Sequence, residues 1–426
     1  MPNSDPRLAA FHIVQRVLAG QPLDAAFERN TLSLDARDRA FARELSTGMV
    51  RHYFSLSADI GRFTSRPLAD IDTDVLILLL VGAYQIRHMR VPGFAAVHAT
   101  VELARATPAM AAGGLVNAVL RRVANSAPDE PPNEEARHDH PQWLIDAIRA
   151  AYPEHWVSIL ATSLGRAPLT VRVNRLKTTR DDYLALLASR GIPAEPTRAS
   201  ADGVQFGSPI ESSAIPGFDD GMCTIQDESA QLAVPALQLA DGMRVLDACA
   251  APGNKTGQML ELGLDLALTV TDIDGRRATQ TRQALARLGH DVEVQVADAS
   301  SPETWWEGAP YDRILLDAPC AGTGTLRRHP DIKLLREPED VQRLMGIQRA
   351  LLDGAWTMLA PGGMLLYCTC SLLPQENMRV VEQFARLGED VSIEPVDIAP
   401  YMVNGTLLPV ADGPDGFFMV RLRKRG

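Results

Sequence analysis

Two cysteines follow two short apolar runs in the C-terminal half of the chain. Cys320 follows the first run, in Ile314-Leu-Leu-Asp-Ala-Pro-Cys320. Cys370 follows the second run, which extends from Gly363 to Cys368. Apolar runs of this length, bounded by turn residues, predict buried parallel strands whose carboxyl ends share one edge of a sheet. A thiol at that edge suits carbon methylation of a pyrimidine, because C5 becomes nucleophilic only after a thiolate adds to C6. The residue types leave open which cysteine attacks.

Three acidic residues close successive predicted strands. Asp272 ends the second strand of this segment, Asp298 follows the third, and Asp317 ends the fourth. An acid after the second strand suits the two ribose hydroxyls of a nucleoside cofactor, and the next one suits an adenine amino group. Asp274 competes with Asp272 for the ribose. Helix capping explains any single acid of this kind, but it explains three in order less well.

The turn after the first strand of the segment indicates which cofactor binds. Ala250-Ala-Pro-Gly-Asn254 contains one glycine and a rigid proline. A dinucleotide site needs the pattern Gly-x-Gly-x-x-Gly, whose backbone amides approach a pyrophosphate. The turn therefore favours S-adenosylmethionine, and a nucleotide-dependent dehydrogenase is a weaker alternative.

Composition limits the class of protein. The 426 residues carry a net charge of −11, and the five cysteines form no Cys-x-x-Cys pair. This usage predicts a reducing cytoplasmic location without disulfides or a metal site. No signal peptide is visible, and the most apolar run, Val75 to Ala83, is too short to cross a membrane. Residues 1–126 hold fourteen arginines, no lysine and eleven acids, which is a modest indication of nucleic-acid binding.

The pattern along the chain predicts three domains. Helical periodicity throughout residues 1–126 predicts an all-α domain, and the acidic, proline-rich residues 127–141 predict a linker. Residues 142–240 mix helices with short strands and predict a small α+β subdomain. Alternating strands and helices over residues 241–426 predict an α/β domain with a doubly wound, Rossmann-like parallel sheet.

Several motifs resemble one enzyme family, the Nop/Sun-type RNA cytosine-C5 methyltransferases, in family order. They are Asp247-Ala-Cys-Ala-Ala-Pro-Gly-Asn-Lys-Thr256, Asp317-Ala-Pro-Cys320 and Thr369-Cys-Ser371. Arg327-Arg-His-Pro-Asp-Ile-Lys333 and Asp415-Gly-Phe-Phe418 are similar to the bacterial branch, and the helical N-terminal region resembles the RNA-binding factor NusB. The resemblance implies methylation of a cytosine in small-subunit (16S) ribosomal RNA. An RNA-binding assembly factor with a vestigial catalytic domain is the competing hypothesis.

The resemblance also implies the roles of individual residues. Cys370 is the nucleophile, Cys320 assists product release, Asp317 orients the base, and Lys255 helps to order the site. The implied cofactor pocket comprises Cys249, Ala250, Ala251, Pro252, Gly253, Asn254, Lys255, Asp272, Asp298 and Asp317. The implied RNA contacts are Arg327, Arg328, His329 and Lys333, which follow the Cys320 loop.

Two further expectations concern the environment of these residues. The family usually has glycine where this chain has Asn254, and asparagine tolerates a positive φ better than most residues, so we expect the turn to be kept. A thiolate nucleophile needs a pKa below the usual ~8.5. Lys255 and the start of a predicted helix at Pro374 are the candidate sources of positive potential beside Cys370.

Overall fold

The computed structural model describes residues 5–388 and 390–426 and contains two compact units. The helical unit comprises Met1–Gly165 and Leu326–Glu337, and the sheet unit comprises Arg166–Thr325 and Pro338–Gly426. These units differ from the predicted boundaries, because residues 142–165 group with the helices. The predicted linker 127–141 also contains a short helix.

Among the described residues, the first segment of the helical unit contains ten α-helices. Its start matches the sequence pattern, because the Asp5 side chain accepts a hydrogen bond from the Arg7 amide and Pro6 occupies the first turn. No helix among the described residues has both the length and the apolar character needed to cross a bilayer. The helices are α1 (Pro6–Leu18), α2 (Leu23–Thr31), α3 (Ala36–Arg51), α4 (Tyr53–Gly61), α5 (Thr73–His88), α6 (Gly93–Ala104), α7 (Gly113–Asn125), α8 (Glu134–His138), α9 (Gln142–Ala151) and α10 (Trp156–Ser163).

The sheet unit begins with a small antiparallel sheet of four strands in the order β2-β3-β1-β4. The sequence predicted two of these strands, near residues 169–174 and 203–206. The elements are β1 (Thr170–Val173), α11 (Arg180–Ser189), β2 (Ala194–Pro196), β3 (Gly203–Phe206), β4 (Cys223–Ile225), α12 (Glu228–Gln231) and α13 (Ala233–Ala236).

A large mixed sheet follows, with its main path in the order β11-β12-β13-β9-β8-β5-β6-β7 and with β10 paired to β13. Strands β7, β6, β5, β8 and β9 are parallel, as predicted, whereas β13 is antiparallel to β9. The elements are β5 (Arg244–Asp247), α14 (Asn254–Leu260), β6 (Ala267–Asp272), α15 (Gly275–Leu288), β7 (Gln295–Val296), β8 (Tyr311–Asp317), α16 (Ile332–Leu335), α17 (Pro338–Met358), β9 (Leu359–Thr369), α18 (Met378–Leu387), β10 (Val391–Pro395), β11 (Met402–Val403), β12 (Thr406–Leu407) and β13 (Phe417–Lys424).

The central strands bury both faces, which explains why they are continuously apolar. Ile314 and Leu316 of β8 pack in a core that includes residues of α17 and α18. Leu315 points to the opposite face and packs in a core with residues of α13 and α14. Successive side chains of a strand point to opposite faces, so a sheet covered on both sides needs an apolar residue at every position.

Residues 326–337 leave the sheet unit after β8 and belong to the helical unit. The Asp331 carboxylate accepts a hydrogen bond from the Leu23 amide at 2.9 Å, and the Arg51 guanidinium donates to the Arg327 carbonyl at 2.9 Å. Lys333 donates to the carbonyls of Arg51 and Asp139. These bonds hold a segment that follows the Cys320 loop against helices from the first part of the chain.

We expect the substitution Asp331→Ala to loosen this segment locally. It leaves the buried Leu23 amide without its acceptor, which typically costs about 1–3 kcal/mol. Hydrogen exchange of residues 326–337 and of the start of α2 should therefore become about ten- to a hundredfold faster. The exposed Asp70 provides a matched control, Asp70→Ala. Equal exchange in the two variants would contradict this account.

Candidate active site

The register of two neighbouring strands brings the two candidate thiols together. β8 and β9 are parallel, and Asp317 is paired with Cys368 at their carboxyl ends. Cys320 and Cys370 lie just beyond these ends, with their sulfur atoms 3.4 Å apart. All five cysteines of the chain are free thiols. The structure thus places both candidate nucleophiles at one position.

The surroundings of the thiols distinguish Cys320 from Cys370. The hydrogen bond with Cys370, together with burial, raises the pKa of Cys320 well above its usual value. Cys320 therefore keeps its proton at neutral pH and is suited to donate it to the Cys370 sulfur. Burial likewise raises the pKa of Cys368, whose sulfur lies 3.7 Å from an Asp317 oxygen inside the strand.

Glu376 joins the two loops that carry the thiols, and the sequence analysis did not select it. One of its oxygens accepts hydrogen bonds from the Ala321 amide at 2.8 Å and from the Gln348 side chain at 3.1 Å. The other oxygen accepts from the Ser371 hydroxyl at 2.6 Å. The residue is fully buried. In sequence it resembles an ordinary acid near a helix start, and its partners lie up to 55 positions away.

A close backbone approach completes the connection between the loops. The Gly324 amide donates to the Cys370 carbonyl at 2.8 Å. A Cβ atom at position 324 would lie only 2.2 Å from the Gly416 carbonyl oxygen, so no larger residue fits without displacement of the backbone. The loop after β8 is therefore fixed against both β9 and the segment before β13.

Asp317 and Lys255 form an ion pair beside the thiols. The Lys255 nitrogen lies 2.5 Å from an Asp317 oxygen. Burial alone would lower the pKa of Lys255, but Asp317, Cys368 and Asp247 together outweigh it and raise that pKa, so the ammonium stays charged. Helix α18 begins at Met378 and not at the predicted Pro374. The predicted first residue is therefore four positions too early, but the residue before the helix, Asn377, bonds to Thr369 and Ser371 on either side of Cys370. The Lys255 charge is paired with Asp317.

A cavity of about 480 Å³ lies at this edge of the sheet. Its size is typical of a small-molecule site. Seven predicted residues line it: Cys249, Ala251, Asp272, Asp298, Asp317, Cys320 and Cys370. Five other predicted residues are outside its described lining: Ala250, Pro252, Gly253, Asn254 and Lys255. The sequence analysis missed Ile273, Arg277 and Ile347, which also line it.

The turn after β5 shapes the cavity wall. Gly253 has a φ of +93°, and a Cβ there would lie 2.9 Å from the Thr281 side chain. Asn254 is the first residue of α14 and is not among the described residues with positive φ. The expected positive φ at Asn254 is therefore wrong. The turn is kept because Gly253 supplies that conformation.

Buried Arg172 of the small sheet supports the same turn. Its guanidinium donates to both oxygens of Glu261, at 2.9 and 3.0 Å, and to the Asn254 carbonyl at 2.8 Å. A bidentate pair of this kind has a fixed geometry. The first turn of α14 is thus held from the small sheet, and a side chain at position 254 does not disturb this bond because only the backbone takes part.

The structure separates the roles of the two neighbouring acids. Asp272 accepts hydrogen bonds from the amides of Ala251 and Asp274, at 3.1 and 3.0 Å, and it lines the cavity. Asp274 caps α15 by accepting from the amides of Arg276 and Arg277. Asp272 is therefore the better candidate for the ribose. Ile273 lies beside it and is 66% exposed, so it offers an apolar contact next to an acid, as a nucleoside requires.

The predicted RNA contacts of Arg327 and Lys333 are not supported. Their exposed fractions are 2% and 3%, and Lys333 binds backbone carbonyls inside the helical unit. Burial lowers the pKa of Lys333 to about 7. Arg328 is half-buried, and His329 is exposed and pairs with Asp24 at 3.4 Å. A cluster of basic residues suggests a surface when only the sequence is known, but two of its four members face inward.

Comparisons with known proteins agree with this architecture. Residues 234–423 match the family described as 16S rRNA methyltransferase RsmB/F, residues 140–212 match the ferredoxin-like domain of RsmF/B-like methyltransferases, and residues 4–125 match the NusB family. Ribosomal RNA small subunit methyltransferase B of Pseudomonas syringae pv. tomato is 40% identical, over 99% of this chain and 97% of its own length. This chain belongs to the RsmB/F family.

Further relatives of the RsmB/F family support the assignment. Ribosomal RNA small subunit methyltransferase B of Pectobacterium carotovorum subsp. carotovorum is 40% identical over 98% of both chains. A solved methyltransferase homologue from Pyrococcus horikoshii is 28% identical, with a TM-score of 0.59, and covers 68% of this chain and 97% of its own. The crystal structure of PH0851, at 22% identity and a TM-score of 0.81 over all of both chains, shows the same fold.

Membership in the RsmB/F family confirms the predicted fold class and enzyme class. The chain is an S-adenosylmethionine-dependent RNA methyltransferase with a NusB domain, a ferredoxin-like subdomain and a Rossmann-like domain. The cavity residues fit this cofactor, because acids end successive strands beside exposed apolar Ile273. The dehydrogenase alternative is wrong. No set of three metal-binding side chains occurs among residues 5–388 and 390–426.

We expect Cys370 to react with iodoacetamide before Cys320 at neutral pH. Only the thiolate reacts, and the raised pKa of Cys320 keeps that thiol protonated until the pH exceeds the usual ~8.5. Peptide mass spectrometry across a pH series measures both rates in one sample, with buried Cys368 as an internal control. In Cys370→Ala, where the hydrogen-bond partner is absent, Cys320 should react at lower pH. Earlier modification of Cys320 in the unaltered enzyme would contradict the proton assignment.

Substitution of Glu376 should slow methyl transfer without weakening cofactor binding. Glu376→Ala removes three hydrogen bonds that position the thiol loops, and a displacement of about 1 Å can lower kcat about a hundredfold. Glu376→Gln keeps one acceptor oxygen, so its kcat should lie between those of Glu376→Ala and the unaltered enzyme. Because Glu376 is outside the cavity's described lining, KM for S-adenosylmethionine should hardly change. A folded Glu376→Ala variant with normal kcat would contradict this role.

Proposed function

We propose that this enzyme methylates C5 of a cytosine in 16S ribosomal RNA through a transient bond between Cys370 and C6 of the base. The observation that supports this most directly is the pair of sulfur atoms 3.4 Å apart on the wall of the cofactor cavity. Methylation of an exocyclic amine does not require a thiol. An enamine-like C5 does, because it forms only after a nucleophile adds to C6.

The two thiols have different tasks in this reaction. The Cys370 sulfur donates its electron pair to C6, and the ring electrons move to C5, which then takes up a methyl group. Bound S-adenosylmethionine supplies that methyl group as an electrophile. A water molecule then accepts the C5 proton, the electrons of the C5–H bond restore the C5–C6 double bond, and the electrons of the C6–sulfur bond return to Cys370. We assign Cys320 to this release step, because it lies within hydrogen-bonding distance of the departing sulfur.

Asp317 and Lys255 prepare the base for attack. Asp317 is the last residue of β8 and lines the same cavity as both thiols. Besides contacting the cofactor, it orients the cytosine and favours the adduct protonated at N3. Lys255 restricts the Asp317 side chain through the 2.5 Å ion pair. Removal of Lys255 therefore affects the reaction through Asp317 rather than through direct contact with the thiols.

The relatives and the cysteines support the proposed substrate and location. The relatives are named for ribosomal RNA of the small subunit, and we propose the same substrate here. Five free thiols suit the reducing cytoplasm, where we place the enzyme. The complete set of Cys320, Cys370 and three acids around one cavity argues against a vestigial catalytic domain.

We expect Cys320→Ala to accumulate a covalent protein–RNA complex, because attack and methyl transfer proceed while release is blocked. Cys370→Ala should form no complex, because it lacks the attacking sulfur. The measurement is a denaturing gel after incubation with unmodified 16S ribosomal RNA and tritiated S-adenosylmethionine. If only Cys370→Ala accumulated the covalent complex, Cys320 would be the nucleophile and Cys370 would assist release. Cofactor binding without any tritium transfer by the unaltered enzyme would instead favour an RNA-binding assembly factor.

A further inference from the structure

The helical unit has a groove between α6 and α7. None of the candidate site residues discussed above lines it. Phe94 and His98 of α6, with Val97 and Val101, recur at helical spacing along one side, and Asn117, Arg121 and Asn125 of α7 recur along the other. The volume is about 320 Å³. The helices approach closely at one end, where a Cβ at Gly93 would lie 3.1 Å from the Ala124 Cβ.

The exposed side chains of the groove make no polar contact within the described part of the fold. Phe94 is 81% exposed, more than any other large apolar side chain in the described chain. Within residues 5–388 and 390–426, the side chains of His98, Asn117, Arg121 and Asn125 have no hydrogen-bond or ion-pair partner. These polar side chains are solvated and remain available to a ligand, and the exposed aromatic ring beside them offers a planar apolar contact.

The chemistry of the groove selects single-stranded RNA. An aromatic face stacks with any base, amide side chains bond to base edges or ribose, and an arginine binds phosphate. None of the described lining residues is acidic, and residues 1–126 carry net positive charge although the whole chain is at −11. A protein-docking surface would be expected to expose an apolar centre. Here Phe94 is the exposed member of the apolar lining residues, whereas Val97 is buried and Val101 and Ala124 are half-buried.

We propose that the α6–α7 groove binds a nucleotide of single-stranded RNA, with its base stacked on Phe94 and its phosphate at Arg121. This proposal rests on the proposed function, since the strand would be part of the RNA that carries the target cytosine. The groove is then a substrate site separate from the catalytic cavity, and it contributes to affinity rather than to the chemical step.

The test compares matched variants of the full-length enzyme by fluorescence anisotropy with a short, unstructured RNA of mixed sequence. Phe94→Ala should weaken binding about tenfold through lost stacking. Arg121→Ala should weaken binding and reduce the slope of log affinity against log salt by about 0.7, as expected for one lost phosphate contact. Leu32→Ala and Arg122→Ala are controls that alter exposed side chains outside the groove, and these variants should bind like the unaltered enzyme.

Kinetics separates this proposal from the proposed function. Phe94→Ala should raise KM for ribosomal RNA and leave kcat unchanged. Binding by Phe94→Ala equal to that of Leu32→Ala would overturn the groove proposal even if cytosine methylation is found. Groove-dependent RNA binding without methylation would overturn only the proposed function. Normal RNA affinity with lost binding to assembled small subunits would assign the groove to a protein and also reject the proposal.

Discussion

The parallel pairing of β8 with β9 is the constraint on which the rest of the site depends. Because Asp317 is opposite Cys368, the residues just beyond the two strand ends are forced into the same small volume. No long-range flexibility is needed to bring two sulfur atoms to 3.4 Å. A register shift of one residue would turn every side chain of the shifted strand to the other face, so the apolar cores on both faces of the sheet protect the spacing of the thiols.

The burial that fixes the site also determines how charge is distributed in it. Two thiols and a carboxylate in one low-dielectric pocket cannot all be ionised without large repulsion. The structure resolves this by pairing Asp317 with Lys255 and by raising the pKa of both Cys320 and Cys368. The proposed division of tasks between Cys320 and Cys370 is consistent with this distribution, because the raised pKa keeps the Cys320 thiol protonated.

Features that arise from local sequence were predictable, and features that arise from distant contacts were not. The strand ends, the acids Asp272 and Asp298, and the two cysteines follow from apolar runs cut by turn residues. Burial of Lys333 depends on carbonyls up to 282 positions away, and the place of Glu376 depends on a loop 55 positions away. The last strand, β13, was predicted near residues 417–421, but its antiparallel pairing with β9 depends on distant contacts, and the strands β10 to β12 carry too few residues for a periodic signal. The turn around Asn254 is kept, as expected. The expected residue with a positive φ was wrong, however, because Gly253 and not Asn254 adopts that conformation.

The loop that carries Cys320 links catalysis to the helical unit through the chain itself. Its first part is fixed in the sheet unit, where the Gly324 amide bonds to the Cys370 carbonyl. From Leu326 onward the same stretch is embedded among helices by Asp331 and Lys333. Leu326 is only two positions from Gly324, so little slack exists to absorb a displacement of either anchor. The stretch that follows Cys320 therefore has one anchor within the sheet unit and the next within the helical unit, only two positions further along the chain.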